Sequence, residues 1–425
     1  MDGYRRSPAA SALDEPATEE RVSLHDQGNL EAAAAGRQAI LPATAFVVEF
    51  VRSADGVAAL RSDYDQLQEA TGNPLPFALH EWHVVWCRHF LRNERGIVDR
   101  PMFSVIRSPR GACVAILPLI LTLRRAGGLT VRSVAPLGAD PAITEIRSAL
   151  IRPGCEDEVA AALDEALRHT AEWDWVQWIG RGDSFDAAIG RRRRLDWQPT
   201  TPCYLLDLPG TWEEFRGGLK RNIRESLRHC YNSLKRDGHD FRLVVATNPR
   251  DVAVALDRLF VLHTLRAAMT GTVPHPNRFA GEGLRRFLLE VCDALAARGV
   301  ARIFELEVGG RIVASRIGFV IGGSLYLYYS GFDPAWSRYG VMTTTVAEAI
   351  KYSIALGLDT VNLSPGNDVS KTRWGPREVW SYSASEHSGR LRSRLVRTAY
   401  VRAKSGQGFG GWLLRRLIPG RRNWN

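Results

Sequence analysis

Apolar and polar positions follow two periods along the chain, one typical of strands and the other typical of amphipathic helices. In the first half, the apolar runs that predict strands are 45–51, 102–106, 113–121 and 173–179. The stretches in which apolar residues recur at helical spacing are 55–69 and 156–169. The order β-α-β-β-(β)-α-β therefore describes a first block that ends near Leu208.

The second half repeats this order in outline and contains the clearest pattern in the sequence. Three apolar stretches between Ala301 and Ser330 are separated by Gly309-Gly310 and Gly322-Gly323, and such pairs supply the positive φ that two-residue hairpin turns need. The other elements predicted here are a strand at 241–246, helices at 249–269, 283–298 and 343–356, and a strand at 360–363. We therefore predict an α/β protein with a mixed (α+β) sheet, built from two distant copies of one unit.

Changes in composition along the chain predict four segments. Residues 1–42 have few large apolar residues and no periodicity, which predicts a disordered leader. The N-terminal unit then spans 43–208, and the C-terminal unit spans 209–388. The last segment, 389–425, mixes large apolar residues with ten of the 56 Lys and Arg residues and has no Asp or Glu.

The net charge of +10 therefore lies in the tail, and the rest of the chain has 46 basic and 46 acidic residues. A body that binds nucleic acid carries a basic face of its own, so this charge balance disfavours a nucleic-acid partner. The tail is typical of an interfacial segment on an anionic leaflet, with a disordered basic tail as the alternative. Because no apolar run approaches the about 20 residues of a membrane helix, we expect a cytoplasmic protein whose tail contacts the inner membrane peripherally.

Cysteine and histidine residues show no metal or disulfide pattern. The six cysteines are scattered with no C-x-x-C pair, which argues against a zinc knuckle and against a disulfide framework. His80, His83 and Cys87 share one face of a predicted helix, but Trp82 and Trp86 in the same stretch favour a helix packed by aromatic residues. We therefore predict no metal. Hydrolase and NTPase functions are disfavoured too, because the sequence has neither a G-x-S-x-G elbow nor a P-loop.

Several stretches of the second half resemble the CelD-like (cellulose-biosynthesis-type) GNAT acetyltransferases, which are related to the Fem peptidyltransferases. The matching stretches are Trp212-x-x-Phe215, Leu219-Lys220-x-Asn222-x-Arg224, Ser330-Gly-Phe-Asp333, Tyr339-Gly340, Leu363-Ser-Pro-Gly366 and Lys371-x-x-Trp374. The resemblance implies two tandem GNAT-like units. It also implies transfer of an acyl group, most often acetyl, from acyl-CoA to a nitrogen or oxygen of a sugar or cell-envelope precursor.

The start of the predicted helix after Gly340 is the candidate site for the phosphates of acetyl-CoA. A helix N-terminus that follows a glycine presents free N–H groups and the positive end of the helix dipole. An ordinary capped helix is the alternative. The residues expected to bind acetyl-CoA are Arg338, Tyr339, Gly340, Val341, Met342, Thr343 and Thr344.

Acyl transfer needs hydrogen-bond donors for the thioester oxygen, a base for the attacking group and an acid for the leaving thiolate. In a GNAT-like unit the strands at 325–330 and 360–364 diverge, which leaves unpaired N–H groups facing the thioester. The catalytic candidates are Glu305 as the preferred base, Asp333 as the second choice, Tyr329 as the acid and Lys371 as a cation for negative charge. Surface carboxylates, a packed aromatic ring and a solvated loop lysine are the structural alternatives.

Polar residues elsewhere in the second half are candidates for binding the acceptor. They are Lys220, Asn222, Arg224, His263, Arg316, Ser364 and Arg373. Arg316 lies in the middle of a predicted strand, where an arginine needs a partner, and we expect it to pair with Glu305 across the hairpin.

The expected function is acyl-CoA-dependent transfer, by N- or O-acetylation, to a sugar or a cell-envelope or exopolysaccharide precursor. A Fem-like aminoacyl or peptidyl transferase that uses aminoacyl-tRNA is one alternative, disfavoured because tRNA needs a basic cradle. A non-catalytic scaffold of polysaccharide export is the other alternative.

Overall fold

The computed structural model describes residues 37–40, 46–126, 129–138, 143–170, 172–270, 275–391, 393–396 and 398. The leader predicted at 1–42 lies outside this part of the chain except at Arg37–Ile40, which forms strand β1 against β2 (Val47–Val51). For those four residues the prediction of disorder is wrong. Hydrogen bonds between strands are made by backbone groups, so a segment of any composition can form them. Most of the basic tail also lies outside the described residues.

The first half contains most elements that the hydrophobic pattern predicts and several that it does not. The strand predicted at 113–121 divides at Pro118 into two strands that belong to different sheets, and the helix predicted at 55–69 divides into two helices. Its other strands are β3 (Asn93–Glu94), β4 (Ile97–Pro101), β5 (Phe103–Arg107), β6 (Cys113–Leu117), β7 (Leu119–Ala126), β8 (Leu129–Pro136), β9 (Leu150–Ile151), β10 (Trp175–Gly180) and β11 (Gln198–Asp207). Its helices are α1 (Ala54–Ala58), α2 (Arg61–Thr71), α3 (His80–Phe90), α4 (Glu156–His169) and α5 (Ser184–Arg193).

The second half follows the predicted order closely. Its helices are α6 (Trp212–Gly218), α7 (Arg221–Arg236), α8 (Pro249–Ala267), α9 (Glu282–Ala297), α10 (Val341–Ala355) and α11 (Val369–Thr372). Its strands are β12 (Phe241–Ala246), β13 (Ala301–Val308), β14 (Arg311–Ile321), β15 (Ser324–Phe332), β16 (Thr360–Pro365) and β17 (Arg377–His387). Both Gly-Gly pairs of the meander have positive φ, as the hairpin turns require.

One long sheet runs through both halves. In the described residues its strand order is β12-β13-β14-β15-β16-β11-β17-β10-β8-β7-β4-β3, and a second sheet has the order β1-β2-β5-β6-β9. Strand β11 closes the first half along the chain, yet it pairs with β16 of the second half. Strand β17 closes the second half and pairs with β10 of the first. The two halves therefore exchange their last strands, and the predicted mixed-sheet fold class is confirmed.

Aromatic side chains pack the two halves against each other next to the meander. Trp82 on α3 is fully buried, and its ring meets Phe287 of α9 and Phe319 of β14 edge-on. Phe77 meets Tyr326 of β15 in the same way, with 5.0 Å between ring centroids. Burial of such large rings stabilises the arrangement strongly, and edge-on pairs add to it. The first half is therefore held in a fixed position over one face of β14 and β15.

Helix α3 is the aromatic helix that the sequence predicts. The His83 Nδ1 atom is 2.8 Å from the Tyr64 hydroxyl, and the His80 Nε2 atom is 3.0 Å from the Val57 carbonyl oxygen. These histidines have protein partners in the core. No cluster of three or more potential metal ligands occurs in the described ranges of the chain.

Gly331 in β15 gives a direct test of how closely helix α8 approaches the sheet. A Cβ atom at this position would lie 2.2 Å from the backbone nitrogen of His263, and backbone cannot move aside as a flexible side chain can. We expect Gly331→Ala to lower the free energy of unfolding by about 2–3 kcal/mol or more. Urea denaturation of the purified variant measures this loss.

Gly283→Ala is the matched control, because a Cβ atom there meets nothing within 4 Å and Gly283 lies within helix α9. The control should be neutral or slightly stabilising. Equal stability of the two variants would contradict the close approach of α8 to β15.

Candidate active site

Strands β15 and β16 diverge after a short stretch of pairing. They pair in parallel only from Ser324 opposite Thr360 to Tyr326 opposite Asn362, although β15 continues to Phe332. On its other side β15 stays paired with β14 as far as Phe332. The space between β15 beyond Tyr326 and β16 beyond Asn362 is called the strand gap below. It lies where the sequence predicts that two strands separate.

Two backbone irregularities accompany the strand gap. The β14–β15 register shifts so that Tyr328 and Tyr329 stand opposite the single residue Ile317. A β-bulge of this kind bends a strand and re-aims its side chains. On the other strand Ser364 has φ +69°, an unusual value for a residue other than glycine, and its N–H donates to Asn362 Oδ1 at 2.9 Å. Strain of this kind is typical of functional sites.

Helix α10 begins beside the strand gap with an open N-terminus. Its N-cap residue Gly340 has φ +63°, and no side chain caps the helix start within the described chain. A Cβ atom at Gly340 would lie 2.5 Å from Cys230 Sγ, so this position requires glycine for two reasons. The first turn contains no acidic residue. The helix start is therefore suited to bind an anion.

The predicted acetyl-CoA residues divide into two groups around this helix start. Gly340, Val341, Met342 and Thr343 lie at the start itself. Arg338 and Tyr339 lie in the preceding 3-10 helix, where the Arg338 guanidinium stacks on the Tyr339 ring and lies 3.5 Å from Asp237.

Thr344 is fully buried, so its side chain cannot contact a ligand at the surface. A contact of Thr344 with the donor would be made by its backbone, and its acetyl-CoA-binding role stays a prediction.

Glu305 forms a buried ion pair at a distance from the strand gap. Its side chain is 1% exposed and accepts two hydrogen bonds from Arg258 of α8, at 2.7 and 2.5 Å. The expected pair with Arg316 is wrong, because Glu305 stands opposite Ser315 and the next residue along a strand points to the other face of the sheet. The base role of Glu305 stays a prediction, and its bidentate partner favours a structural role.

Asp333 and Tyr329 both have structural partners. Asp333 caps the 3-10 helix, accepting from Ala335 N–H at 3.0 Å and from Arg311 at 3.2 Å. The Tyr329 ring packs on Phe279 and on His263, with centroids 5.1 and 6.0 Å apart. Their predicted catalytic roles stay predictions.

Lys371 lies at the strand gap, where its ammonium group donates to the Pro365 carbonyl oxygen and lies 3.5 Å from Asp368. Burial lowers the pKa of Lys371, and Asp368 opposes this effect. Arg373 is the C-cap residue of the same short helix. Its positive charge partly offsets the effect of burial on the pKa of Cys230, whose side chain contacts Gly340. Lys371 and Arg373 are therefore neighbours of the strand gap and of the α10 N-terminus, respectively.

The acceptor candidates on helix α7 have no polar contact with the strand gap in the described chain. Lys220 and Arg224 are exposed, and Asn222 accepts a hydrogen bond from the N–H of Ile223. His263, by contrast, is fully buried beneath β15, with its Nδ1 atom 2.8 Å from the Ser330 carbonyl oxygen. Burial lowers the pKa of His263.

Glu145 is an acidic side chain of the first half that reaches the strand gap, and the sequence analysis missed it. Its carboxylate accepts a hydrogen bond of 2.6 Å from the hydroxyl of Tyr326, the last β15 residue that pairs with β16. Burial raises the pKa of Glu145 to about 7, although Tyr326, Lys371 and Arg316 favour the charged form. Its sequence neighbours carry no motif, so only the tertiary structure identifies it.

The diverging strands and the open helix start define a fold of the acyltransferase class. Residues 221–372 match the family model described as an acetyltransferase (GNAT) domain. The match includes the meander, α10 and β16, and the predicted enzyme class, an acyltransferase, is confirmed. A search of curated proteins found no match to the chain.

Solved structures share the fold at low sequence identity. The crystal structure of FemX is similar over 76% of this chain and 95% of that one, with 10% identity and a TM-score of 0.52. A conserved protein of unknown function from Bacteroides thetaiotaomicron has 14% identity and a TM-score of 0.49 over 79% of this chain and 99% of that one. A tandem GNAT protein from the clavulanic acid biosynthesis pathway has 12% identity and a TM-score of 0.41, over 81% and 99%. At these identities the likeness concerns the fold alone.

Among the described residues, no helix is both long enough and apolar enough to span a membrane.

The raised pKa of Glu145 predicts a pH-dependent loss of stability. A carboxyl whose pKa is higher in the folded state stabilises the fold at low pH, and this stabilisation is lost as the pH rises through about 7. The facing groups are Tyr326, Lys371, Arg316 and Cys203. We expect the free energy of unfolding of wild type, relative to Glu145→Gln, to fall by about 1–3 kcal/mol between pH 5 and pH 8.5.

Guanidinium denaturation at the two pH values measures this difference, and the exposed Glu94→Gln variant is the control for removal of one carboxyl. A difference that stays constant with pH would show that Glu145 is ionised throughout the range.

Proposed function

We propose that the protein transfers an acyl group, acetyl in the first instance, from acyl-CoA to an amine or hydroxyl of a sugar or cell-envelope precursor. The observation that carries the proposal is the strand gap, which opens beside the uncapped N-terminus of α10 within the acetyltransferase domain. The resemblance to CelD-like proteins supports the class of acceptor. The near-neutral charge of the chain outside its tail weighs against tRNA as the donor.

The phosphates of the donor fit the second unit and not the first. Helix α10 starts at an uncapped glycine with no acid in its first turn, and Arg373 lies nearby. The helix that occupies the corresponding place in the first unit, α4, starts with Glu156, Asp157 and Glu158. Three acids occupy the positive end of the α4 dipole and repel a phosphate. One donor site per chain follows from this difference.

The backbone at the strand gap supplies the electrostatic part of the reaction. Acetyl-CoA supplies a thioester, whose carbonyl oxygen becomes negative when an amine or hydroxyl attacks. The β15 edge beyond Tyr326 has no partner strand on the β16 side in the described chain, so we assign the donors for this oxygen to the backbone of that edge. Fixed backbone donors of this kind stabilise a developing oxyanion.

Glu145 is our candidate for the base that accepts the proton of the attacking group. A base works best when its pKa is near the working pH, and burial raises the pKa of this carboxyl to about 7. The Tyr326 hydroxyl orients the carboxylate at the end of the β15–β16 pairing. Glu145 therefore combines a position at the strand gap with a pKa near neutral pH, whereas the carboxylate of Glu305 is held by Arg258.

A negative charge in the first turn of α10 should block donor binding without harming the fold. Thr343 is partly exposed at the third helical position, where an acid stabilises a helix through its dipole. We expect acetyl-CoA to raise the melting temperature of wild type. Thr343→Glu should keep or raise the melting temperature without ligand, and its Kd for acetyl-CoA should rise at least tenfold.

Thr343→Gln is the matched control, because glutamine has the shape of glutamate without its charge. The Kd of this variant for acetyl-CoA should change far less. Calorimetric titration with acetyl-CoA measures all three proteins. If no acyl-CoA binds to wild type, the proposed function is wrong.

Removal of the proposed base should lower turnover without removing donor binding. We expect Glu145→Gln to reduce kcat about 10²–10⁴-fold, and the wild-type rate to rise with pH through about 7 as Glu145 loses its proton. Thiol release from acetyl-CoA, followed with a panel of amino sugars, measures the rate.

Glu305→Gln provides the contrast. It breaks the bidentate pair of a buried carboxylate with a partly exposed arginine, so it should reduce stability by about 1–3 kcal/mol. A loss of turnover in a stable Glu305→Gln variant, with Glu145→Gln unaffected, would reverse the two assignments.

A further inference from the structure

Two arginine side chains meet at Ser330, next to the strand gap. Arg266 near the end of α8 donates to Ser330 Oγ at 3.2 Å. Arg316 of β14 stands directly opposite Ser330 in the β14–β15 ladder, so the two side chains share one face of the sheet. The charge of Arg266 acts on Arg316. Arg266 and Arg316 are called the arginine pair below.

The arginine pair has no carboxylate partner in the part of the chain that the structure describes. The Arg316 Nε atom is buried and has no hydrogen-bond acceptor, and Arg266 reaches only a serine hydroxyl and the ring of Phe332. Other arginines that reach buried or half-buried carboxylates form close ion pairs, as Arg258 does with Glu305. Further examples are Arg92 with Asp99 and Arg193 with Asp164 and Glu386. The missing partner is therefore particular to this place in the fold.

Positive charge exceeds negative charge around the pair. Burial lowers the pKa of both arginines, and repulsion by Arg266 helps to lower that of Arg316 to about 10. Lys371 adds a third cation whose charge acts on Arg316 and Glu145. The nearby acids are Glu145 and Asp368.

Neither acid neutralises the pair. Glu145 is bound by Tyr326 and, with a pKa of about 7, is only partly ionised at neutral pH. The Asp368 side chain is 53% exposed and lies 3.5 Å from Lys371. A charge that is removed from water without a partner destabilises a fold, so the arginine pair, which has no carboxylate partner among the described residues, is suited to bind an anion.

We propose that Arg266 and Arg316 bind an anionic group, a carboxylate or a phosphate, carried by the acceptor substrate. The planar guanidinium donors match both groups, and bidentate contacts fix the orientation of the ligand. The pair lies at Ser330 on the side of α8, whereas the donor phosphates are assigned to Gly340 and the start of α10. The inference rests on the proposed function, because it names the class of acceptor for that reaction.

Binding of small anionic sugars tests the proposal. The probes are glucuronate for a carboxylate, glucosamine 6-phosphate for a phosphate, and uncharged glucose as the reference, each titrated at constant ionic strength with CoA present. Wild type should bind at least one anionic probe ten or more times more tightly than glucose. The preferred probe then distinguishes a carboxylate-bearing from a phosphate-bearing acceptor. Equal affinity for all three probes would overturn the proposal.

Replacement of Arg316 separates a binding role from a structural one. Arg316→Met removes an unpaired charge from a partly buried site, so without ligand its melting temperature should be higher than that of wild type. Its affinity for the anionic probe should fall at least tenfold. The affinity of Arg316→Lys, which keeps the charge, should lie between those of wild type and Arg316→Met. Arg250→Met, an exposed arginine at the start of the same helix as Arg266, is the control and should change neither quantity. A lower melting temperature for Arg316→Met, or unchanged probe binding, contradicts the proposal.

Titration with acetyl-CoA distinguishes the inference from the proposed function. Arg316→Met should bind acetyl-CoA as wild type does. If this variant loses acetyl-CoA as well, the pair belongs to the donor site and the assignment to the acceptor is wrong. If wild type binds the anionic probe and no acyl-CoA, the anion site stands and the proposed function fails.

Discussion

The site depends on one hydrogen-bond ladder that stops early. Strands β15 and β16 pair over three positions and then separate, while β15 stays paired to β14 and β16 stays paired to β11. Backbone groups without partners are costly inside a protein, so a gap of this kind persists only where other features hold it open. The bulge opposite Ile317 and the left-handed Ser364 are those features, and both lie beside the gap.

The exchange of terminal strands explains how the first half contributes to a site in the second. Because β11 and β17 cross over, the two units form one sheet and cannot move independently. The loop that carries Glu145 is thereby fixed on β15, where Tyr326 binds the Glu145 carboxylate and Tyr328 donates to the Ile143 carbonyl oxygen. The first turn of α4 in the first unit holds three acidic residues, which disfavours a second donor site there, and the first unit contributes the Glu145 side chain instead.

Local patterns predicted most of the fold, because periodicity and paired glycines act within a few residues. The meander, α4 and α10 follow from such signals, whereas the position of the strand gap was implied by the resemblance to GNAT acetyltransferases. Contacts between residues that are distant in the sequence were not predictable. Glu145 and Tyr326 are 181 residues apart. The register of β13 on β14 decides the partner of Glu305. Glu305 stands opposite Ser315, and the neighbouring Arg316 points to the opposite face of the sheet.

Some charged side chains of this protein have close ion-pair partners and a structural role, and others, at the strand gap, have no such partner among the described residues. Arg258 and Glu305 form a close bidentate pair, which stabilises the packing of α8 on the meander and occupies both carboxylate oxygens of Glu305. Around the strand gap the opposite holds, since Arg316 lacks an acceptor and Glu145 has a pKa raised by burial. Apolar residues of similar size at these positions would give a fold of equal or greater stability. Their concentration at the divergence of two strands is therefore evidence for substrate binding, independent of any resemblance in sequence.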